Sequence, residues 1–301
     1  AELVVKDMFS YSDQDKLLVH KQKINSLPEQ LIAKNSYDEV GQLISKNVGG
    51  SDVTGANGLQ KVDYSYNIRG WLKELNNVND IGNDLFSFKI NYNDPESAVA
   101  LFNGNISETY WKTSSDNIKR KYDYKHDNLN RLLQADYSKG GNTNFNSYME
   151  HLSYDKNGNI QNLLRNGNMD TDGLQDVNPI DNLTYLYDEN NKNLLLRVFD
   201  ESSNPQGFKD DENENSLATE KAQNPDYSYD ANGNMISDTN KGIESILYNH
   251  LNLPTKIFFG NGNSISYLYT ALGQKIQKTV RTNNVPITTD YMNSYQYINS
   301  I

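Results

Sequence analysis

The stretch Tyr227-Ser-Tyr229-Asp-Ala-Asn-Gly-Asn-Met235 contains the small unit from which this chain is built. Its aromatic, polar, aromatic alternation has the period of two that is typical of a half-buried strand. The carboxylate of Asp230 can accept hydrogen bonds from backbone amides two or three residues further on, which is how an Asx-turn forms. Gly233 suits the positive φ that a turn requires. The aliphatic residue that follows begins a returning strand, so the stretch predicts a β-hairpin.

The same unit recurs along the chain. Aligned on the second aromatic position, it has nine copies, and their anchors are Tyr11, Tyr37, Tyr66, His126, Tyr154, Tyr187, Tyr229, Tyr248 and Tyr269. Five copies carry a glycine four places after the anchor: Gly41, Gly70, Gly158, Gly233 and Gly273. His126 takes a tyrosine's place, and we expect it to act as an aromatic substitute that faces the interior. Recurrence at periods of roughly 20–50 residues is typical of repeat architectures.

An isolated hairpin is marginally stable in water, so the hairpins are expected to stack on their neighbours. The sequence therefore predicts an all-β protein made of stacked hairpins. The interval between Tyr66 and His126 is the longest, and it contains strands of its own. Residues 86–92 alternate cleanly, and 99–102 is expected to pair with 106–111 across the Asn103-Gly104 turn. We accordingly divide the chain into an N-terminal array (1–75), an insertion that contains a hairpin (76–120) and a C-terminal array (121–301).

Composition narrows the class of protein. The chain has 301 residues, a formal net charge of −11, no cysteine and 21 tyrosines. This acidic balance argues against nucleic acid as a partner, since phosphate contacts need clustered Lys and Arg. No apolar run approaches the roughly 20 residues of a membrane-spanning helix, and Ala1–Lys6 lacks the layout of a secretion signal. The many tyrosines indicate a folded chain, because disordered chains are poor in aromatic residues.

Catalytic chemistry finds little support in the sequence. The four histidines are not in a zinc-binding spacing, and no Gly-x-Ser-x-Gly motif occurs. We therefore expect no enzyme, no catalytic residue and no cofactor. One stretch carries an alternative: Asp170, Asp172 and Asp176, together with Gly173, resemble an oxygen-rich calcium loop. The other interpretation is a plain polar loop between two repeats.

Four stretches resemble the YD repeat of the Rhs (rearrangement hotspot) family, which is related to repeats of bacterial insecticidal toxin-complex subunits and teneurins. They are Tyr37-Asp-Glu-Val-Gly-Gln-Leu-Ile, Tyr154-Asp-Lys-Asn-Gly-Asn-Ile, Tyr229-Asp-Ala-Asn-Gly-Asn-Met and Tyr269-Thr-Ala-Leu-Gly-Gln. The resemblance implies a fold in which hairpins spiral into one long sheet that curls into a hollow β-shell. Residues 290–297 are similar to the lead-in to the family's core, and the core itself is not in this sequence.

The resemblance also implies a function. In bacterial members the shell encloses a variable C-terminal segment, often a toxin, so the expected role is a structural shell segment of a larger secreted or surface protein. Its partners would be the remainder of its own polypeptide and the C-terminal cargo. The high content of Asn and Tyr is also similar to that of Rhs-type proteins that bacteria export through an outer-membrane translocon. The alternative function is a cell-surface adhesin or carbohydrate-binding module, which would require rows of exposed tyrosines such as Tyr64, Tyr124 and Tyr185.

Overall fold

The computed structural model describes residues 3–140, 147–167, 178–202, 204–210 and 225–299. Nearly all regular structure in these residues is β-strand, and the one helical element described is a short 3-10 turn, Thr239–Lys241. No helix in the described residues has the length and apolar character needed to cross a membrane. The prediction of an all-β protein is confirmed. The chain divides into two compact units.

The first unit covers the described residues up to 150. Each of its strands is the antiparallel neighbour of the next strand in the chain, so strand order equals chain order. This arrangement follows from short turns, which connect only strands that lie side by side. The strands are β1 (Val5–Tyr11), β2 (Leu17–Ile24), β3 (Gln30–Tyr37), β4 (Leu43–Val48), β5 (Gln60–Tyr66), β6 (Leu72–Leu75), β7 (Phe86–Asn91), β8 (Glu108–Thr113), β9 (Arg120–His126) and β10 (Leu132–Lys139).

The second unit covers the described residues from 151 onward. Its strands follow the same rule in two ordered sets, β11 to β14 and β15 to β22. They are β11 (Glu150–Tyr154), β12 (Ile160–Gly167), β13 (Asn178–Tyr187), β14 (Leu195–Asp200), β15 (Tyr227–Tyr229), β16 (Met235–Asp238), β17 (Ile243–Tyr248), β18 (Pro254–Phe259), β19 (Ser264–Tyr269), β20 (Lys275–Thr282), β21 (Val285–Met292) and β22 (Tyr295–Ile298). Residues 290–297 thus form the end of β21, a turn and part of β22.

A β-bulge recurs at the same place in the hairpins. In the β3–β4 hairpin Tyr37 pairs with Leu43 while Ser36 pairs with Ser45, so Ile44 has no partner across the ladder. The same shift of register occurs beside the anchors Tyr11, Tyr66, His126, Tyr187, Tyr229, Tyr248 and Tyr269. A bulge bends its strand and increases the local twist. Its recurrence gives successive hairpins the same local geometry.

The 76–120 segment departs from the expected pairing. The prediction that 99–102 pairs with 106–111 is wrong: β8 pairs with β7, from Phe86↔Thr113 to Asn91↔Glu108. Residues 99–102 form no strand and belong to the long connection between these two strands. Because β7 lies beside β6 and β8 beside β9, the strands of this segment take their place in the strand order of the first unit.

Burial is spread thinly along the strands. Most strand residues are half-buried, and the core of the second unit is a small cluster of Leu183, Val198 and Tyr227. In the first unit the aromatic residues Trp111, Tyr122, Tyr137 and Tyr148 pack together, with ring centroids 5.1–5.9 Å apart. Aromatic pairs at such distances contribute beyond the area that they bury. Stability therefore depends on contacts between neighbouring hairpins.

Candidate functional site

A row of tyrosine hydroxyls joins successive hairpins. Tyr37 Oη donates a hydrogen bond of 2.9 Å to the backbone carbonyl of Leu17, the residue that opens the second strand of the preceding hairpin. Tyr66 donates to Leu43 in the same way at 2.9 Å. We call these bonds phenol rungs. In the second unit they are Tyr187 to Ile160, Tyr229 to Leu195, Tyr248 to Met235 and Tyr269 to Pro254, at 2.6–2.9 Å.

The phenol rungs and the bulges occur together. Leu17, Leu43, Leu195, Met235 and Pro254 each lie directly before the unpaired residue of a bulge. The regular ladder of the hairpin is interrupted there, and the carbonyl accepts the phenol of the next anchor. Burial raises the pKa of Tyr66, Tyr187, Tyr229, Tyr248 and Tyr269, so each phenol stays protonated at neutral pH and can donate.

A tenth copy of the unit lies in the 76–120 segment, and the sequence alignment misses it. Tyr92 Oη donates at 3.1 Å to the carbonyl of Leu72, the residue that opens β6, as the other anchors do. A signal for it exists in the sequence, because Ile90-Asn-Tyr92-Asn matches Ile246-Leu-Tyr248-Asn. The turn that follows Tyr92 is long, so the returning strand β8 begins only at Glu108. No strand therefore begins six residues after Tyr92, whereas β16 begins six residues after Tyr229.

Tyr154 lies half-buried at the end of β11. Two other anchors, Tyr11 and His126, differ from the rest. Tyr11, at the end of β1, is 57% exposed. His126 is half-buried at the end of β9, and its Nδ1 is buried with no hydrogen-bond partner among the described residues. Burial lowers the pKa of His126, and the nearby Asp127 carboxylate opposes this shift in part. The imidazole thus occupies a place where a charge is unfavourable.

The residue after each anchor closes the turn. Asp230 Oδ1 accepts hydrogen bonds of 2.9 Å from the amides of Asn232 and Asn234, two and four residues on. The sequence predicts donors two or three residues on, so the second donor lies one residue further along the chain than expected. The two-and-four pattern also occurs at Ser12, Asp38, Asn67, Asp127, Asp155 and Asn249. Gly41, Gly70, Gly158, Gly233 and Gly273 all have positive φ, between 77° and 95°.

Neighbouring turns also touch one another. Lys16 Nζ donates to the carbonyl of Gly41 at 3.0 Å, and a Cβ added to Gly70 would lie 2.9 Å from Gln42 Nε2. In the second unit a Cβ added to Gly273 would lie 3.1 Å from Leu253. In each case the residue five places after one anchor meets the glycine four places after the next anchor. These turn contacts and the phenol rungs hold hairpins together at the same edge of the strands.

Glu108 fixes the long turn that follows Tyr92. Its side chain is fully buried, and its carboxylate accepts hydrogen bonds of 2.6–2.8 Å from the amides of Glu96, Ser97 and Ala98. The Asn91 side chain donates a further bond of 2.9 Å. Burial alone would raise the pKa of Glu108, but these hydrogen bonds outweigh it and lower the pKa to about 2. No sequence motif marks this residue, since a single Glu in a strand forms no pattern.

The second unit contains a buried ion pair. Arg197 Nε lies 3.3 Å from Asp226 Oδ1, and both side chains are only 2% exposed. Asp226 Oδ2 also accepts bonds of 3.0 Å from the amide of Val198 and from Asn240 Nδ2. Removing one partner of so deeply buried a pair strongly destabilises a protein, because the other charge is then buried without an opposite charge beside it. This pair is therefore a structural contact of β14 with the segment that precedes β15.

A metal site is not visible in the part of the chain that the structure describes. No group of three or more His, Asp or Glu residues there is placed to hold a metal ion. The calcium candidates Asp170, Asp172 and Asp176 lie outside the described residues.

Comparisons with known proteins place the fold. No family model and no curated protein matches the chain. Among solved structures, TcdB2-TccC3 without its hypervariable C-terminal region matches with a TM-score of 0.63 and 14% identity, over 98% of this chain and 13% of that one. TcdB2-TccC3 matches at 0.57 and 13%, over 97% and 15%. The Photorhabdus luminescens Tc holotoxin pore matches at 0.56 and 13%, over 97% and 14%.

This chain therefore spans only about a seventh of the solved structures that it matches. At 13–14% identity the likeness shows the fold, and it extends over nearly the whole chain. The chain therefore shares the fold of part of these toxin-complex structures, and its hairpin repeats resemble YD repeats.

Proposed function

We propose that this chain is a section of a β-shell that encloses or presents a C-terminal effector, such as a toxin, within a larger protein. The observation that carries the proposal is the row of phenol rungs, found in both units, on a fold shared with toxin-complex structures. The role is structural, and catalysis would belong to other parts of the polypeptide.

The proposed mechanism is steric. Antiparallel strands bond to their neighbours along their lengths, and the rungs and turn contacts close the hairpin edge where a bulge interrupts the ladder. Within each ordered set of strands, a wall built in this way has no free strand edge between neighbouring hairpins for a protease to engage, because an exposed edge is what pairs with other chains. Stability in such an array is a sum over neighbouring units.

The proposed partners follow from the coverage of the matched structures. Because the chain corresponds to 13–15% of each, its main partner would be the remainder of its own polypeptide. The name of one match refers to a hypervariable C-terminal region, which supports a C-terminal cargo as the second partner. Secretion or display at the surface of a bacterium, with an outer-membrane translocon as the export partner, completes the proposal.

Protection of the cargo from protease tests this function. The complete polypeptide that contains this chain would be digested, and the survival of its C-terminal segment would be followed by mass spectrometry. We expect the segment to survive while the repeat array is folded and to be cleaved at the rate of the free segment after the array is unfolded. Equal cleavage rates in both states would reject the proposal, as would a coding sequence that ends at Ile301 without any C-terminal segment.

The adhesin alternative depends on where particular tyrosines lie. Tyr64, Tyr124 and Tyr185 are half-buried, and burial raises the pKa of Tyr124 and of Tyr185. Tyr124 Oη is also within 3.0 Å of Thr109 Oγ1. These observations favour a scaffold role for the three residues over a row of sugar-binding rings.

A further inference from the structure

The first unit contains a cleft between two neighbouring turns. One wall is the turn between β5 and β6, and the other is the long turn between β7 and β8. The cleft has a volume of about 490 Å³, within the usual range for ligand sites. Residues that line it include Ile68, Arg69, Trp71, Asn93 and Phe102.

Both walls are held by hydrogen bonds. Asn67 Oδ1 accepts from the amides of Arg69 at 2.9 Å and Trp71 at 3.0 Å, which fixes the first turn. On the opposite wall the amide of Leu101 donates to the carbonyl of Tyr92 at 2.8 Å. Gly104 lies so close to the Trp71 ring that an added Cβ would be 3.1 Å from it. The cleft is therefore formed before any ligand binds.

Large apolar side chains line the opening of the cleft. Ile68 is fully exposed and Phe102 is 72% exposed, one on each wall. Trp71 also lines the cleft, with its ring 5.2 Å from that of Tyr92. Single exposed apolar residues are common on protein surfaces, but several that share one concave surface mark a binding site. Covering these side chains would release the water that now surrounds them.

Positively charged side chains outnumber negatively charged ones among the residues that line the cleft. Lys73 and Asp94 form an ion pair, so these two side chains neutralise each other. Arg69 forms no ion pair with any residue that the structure describes, and its guanidinium lies 5.2 Å from the centre of the Trp71 ring. A guanidinium can bind a carboxylate with two parallel hydrogen bonds. The charge that complements this cleft is therefore negative.

We propose that the cleft binds an extended peptide segment in which a large apolar side chain lies next to an Asp or Glu. The apolar side chain enters between Ile68 and Phe102 and contacts Trp71. The neighbouring carboxylate accepts two hydrogen bonds from Arg69. Ile68 and Leu101 line the cleft with aliphatic groups, which favour binding of an apolar side chain over the hydroxyl-rich surface of a sugar. This binding activity is separate from the shell function and does not depend on it.

Fluorescence of Trp71 tests the proposal directly. The chain contains two tryptophans, so the Trp111→Phe variant leaves Trp71 as the single reporter. The full chain would be titrated with the blocked hexapeptide Gly-Ser-Phe-Glu-Ser-Gly and with versions in which Gln replaces Glu or Ser replaces Phe. We expect a saturable signal with the first peptide and about tenfold weaker binding of the Gln version. The Ser version should give no saturable signal.

Variants of the protein complete the test. Arg69→Gln should weaken binding of the first peptide by about tenfold and abolish the difference between the Glu and Gln peptides. Arg281→Gln, an exposed arginine of the second unit, is the matched control and should bind as the parent does. Unchanged melting temperatures would show that each variant is folded. Equal binding of all three peptides, no effect of Arg69→Gln, or saturation only by a uronic-acid oligosaccharide would overturn the proposal.

Discussion

The phenol of Tyr92 donates a hydrogen bond of 3.1 Å to the backbone carbonyl of Leu72. This bond makes β7 and β8 a regular member of the repeat array, although their connecting turn is much longer than the others. It also identifies the feature that successive hairpins share: a phenol of one hairpin meets the carbonyl beside the bulge of the hairpin before it. The rungs from Tyr37, Tyr66, Tyr229, Tyr248 and Tyr269 obey the same rule.

Removing one hydroxyl should weaken the array measurably. Tyr92→Phe keeps the ring and deletes the donor, so the Leu72 carbonyl loses its partner. We expect a loss of about 1 kcal/mol in the free energy of unfolding, from urea denaturation followed by tyrosine and tryptophan fluorescence. Tyr11→Phe is the control, because Tyr11 is exposed and has no preceding hairpin among the described residues. Equal losses in both variants would contradict the role of the rung.

The turn glycines can be tested for backbone conformation alone. Gly233 has a φ of +82°, and an added Cβ would meet no atom within 4 Å. Gly233→Val should cost about 1–2 kcal/mol, because a β-branched residue is strained at this φ. Gly233→Asn should cost much less, since Asn252 takes the same place in another hairpin with a φ of 56°. Thermal melts of the two variants provide the comparison, and equal melting temperatures would argue against strain.

The hairpin unit could be predicted from sequence because its signals are local. The alternation before Tyr229, the carboxylate of Asp230 and the positive φ of Gly233 all act within one short stretch. The bulge and the phenol rung could not be predicted in the same way. They depend on how one hairpin meets the next, and no residue type marks the carbonyl of Leu195 as an acceptor for Tyr229.

The failed prediction in the 76–120 segment has a physical cause. Residues 99–102 and 106–111 have the apolar pattern of a hairpin, and Asn103-Gly104 is a favourable turn pair. Glu108, however, is buried, and its carboxylate accepts hydrogen bonds from the backbone amides of Glu96, Ser97 and Ala98. A buried carboxylate requires such hydrogen-bond donors, so its bonds to these amides determine the path of the long turn. This tertiary requirement overrides the local preference.

Replacing Glu108 should therefore release the long turn. Glu108→Gln removes the charge and sets amide hydrogens against backbone donors, so we expect a loss of about 2–3 kcal/mol in the free energy of unfolding. Faster proteolysis within residues 93–106 should accompany it. Glu39→Gln, an exposed residue in another turn, is the control. A variant that keeps the parent's protease resistance in this turn would show that the carboxylate does not hold it.

The lowered pKa of Glu108 also predicts that the free energy of unfolding depends on pH in the acidic range. The hydrogen bonds to Glu108 lower its pKa to about 2 in the folded chain, from an ordinary value of 4.5. A carboxyl with a lowered pKa stabilises the fold fully above its ordinary pKa, and this contribution is lost as the pH falls towards its folded value. The difference in unfolding free energy between the parent and Glu108→Gln should thus shrink between about pH 4.5 and pH 2. A difference that stays constant over this range would refute the assignment.

His126 predicts a second pH dependence of the free energy of unfolding, closer to neutral pH. Burial lowers the pKa of His126 below its ordinary 6.5, so the folded chain binds its proton less readily than the unfolded chain. Its contribution to stability is present above about pH 6.5 and is lost as the pH falls below that value. Asp127, which opposes the shift, is held by Arg131 Nε at 2.6 Å and cannot readily turn to the imidazole.

Replacing this histidine with an aromatic residue that does not titrate isolates the effect. In His126→Phe the free energy of unfolding should change less between pH 7 and pH 5 than it does in the parent, as measured by urea denaturation at each pH. His250→Phe, the same exchange at an exposed turn position, serves as the matched control. If His126→Phe keeps the full dependence between pH 7 and pH 5, the buried imidazole is not its source, and another group must account for it.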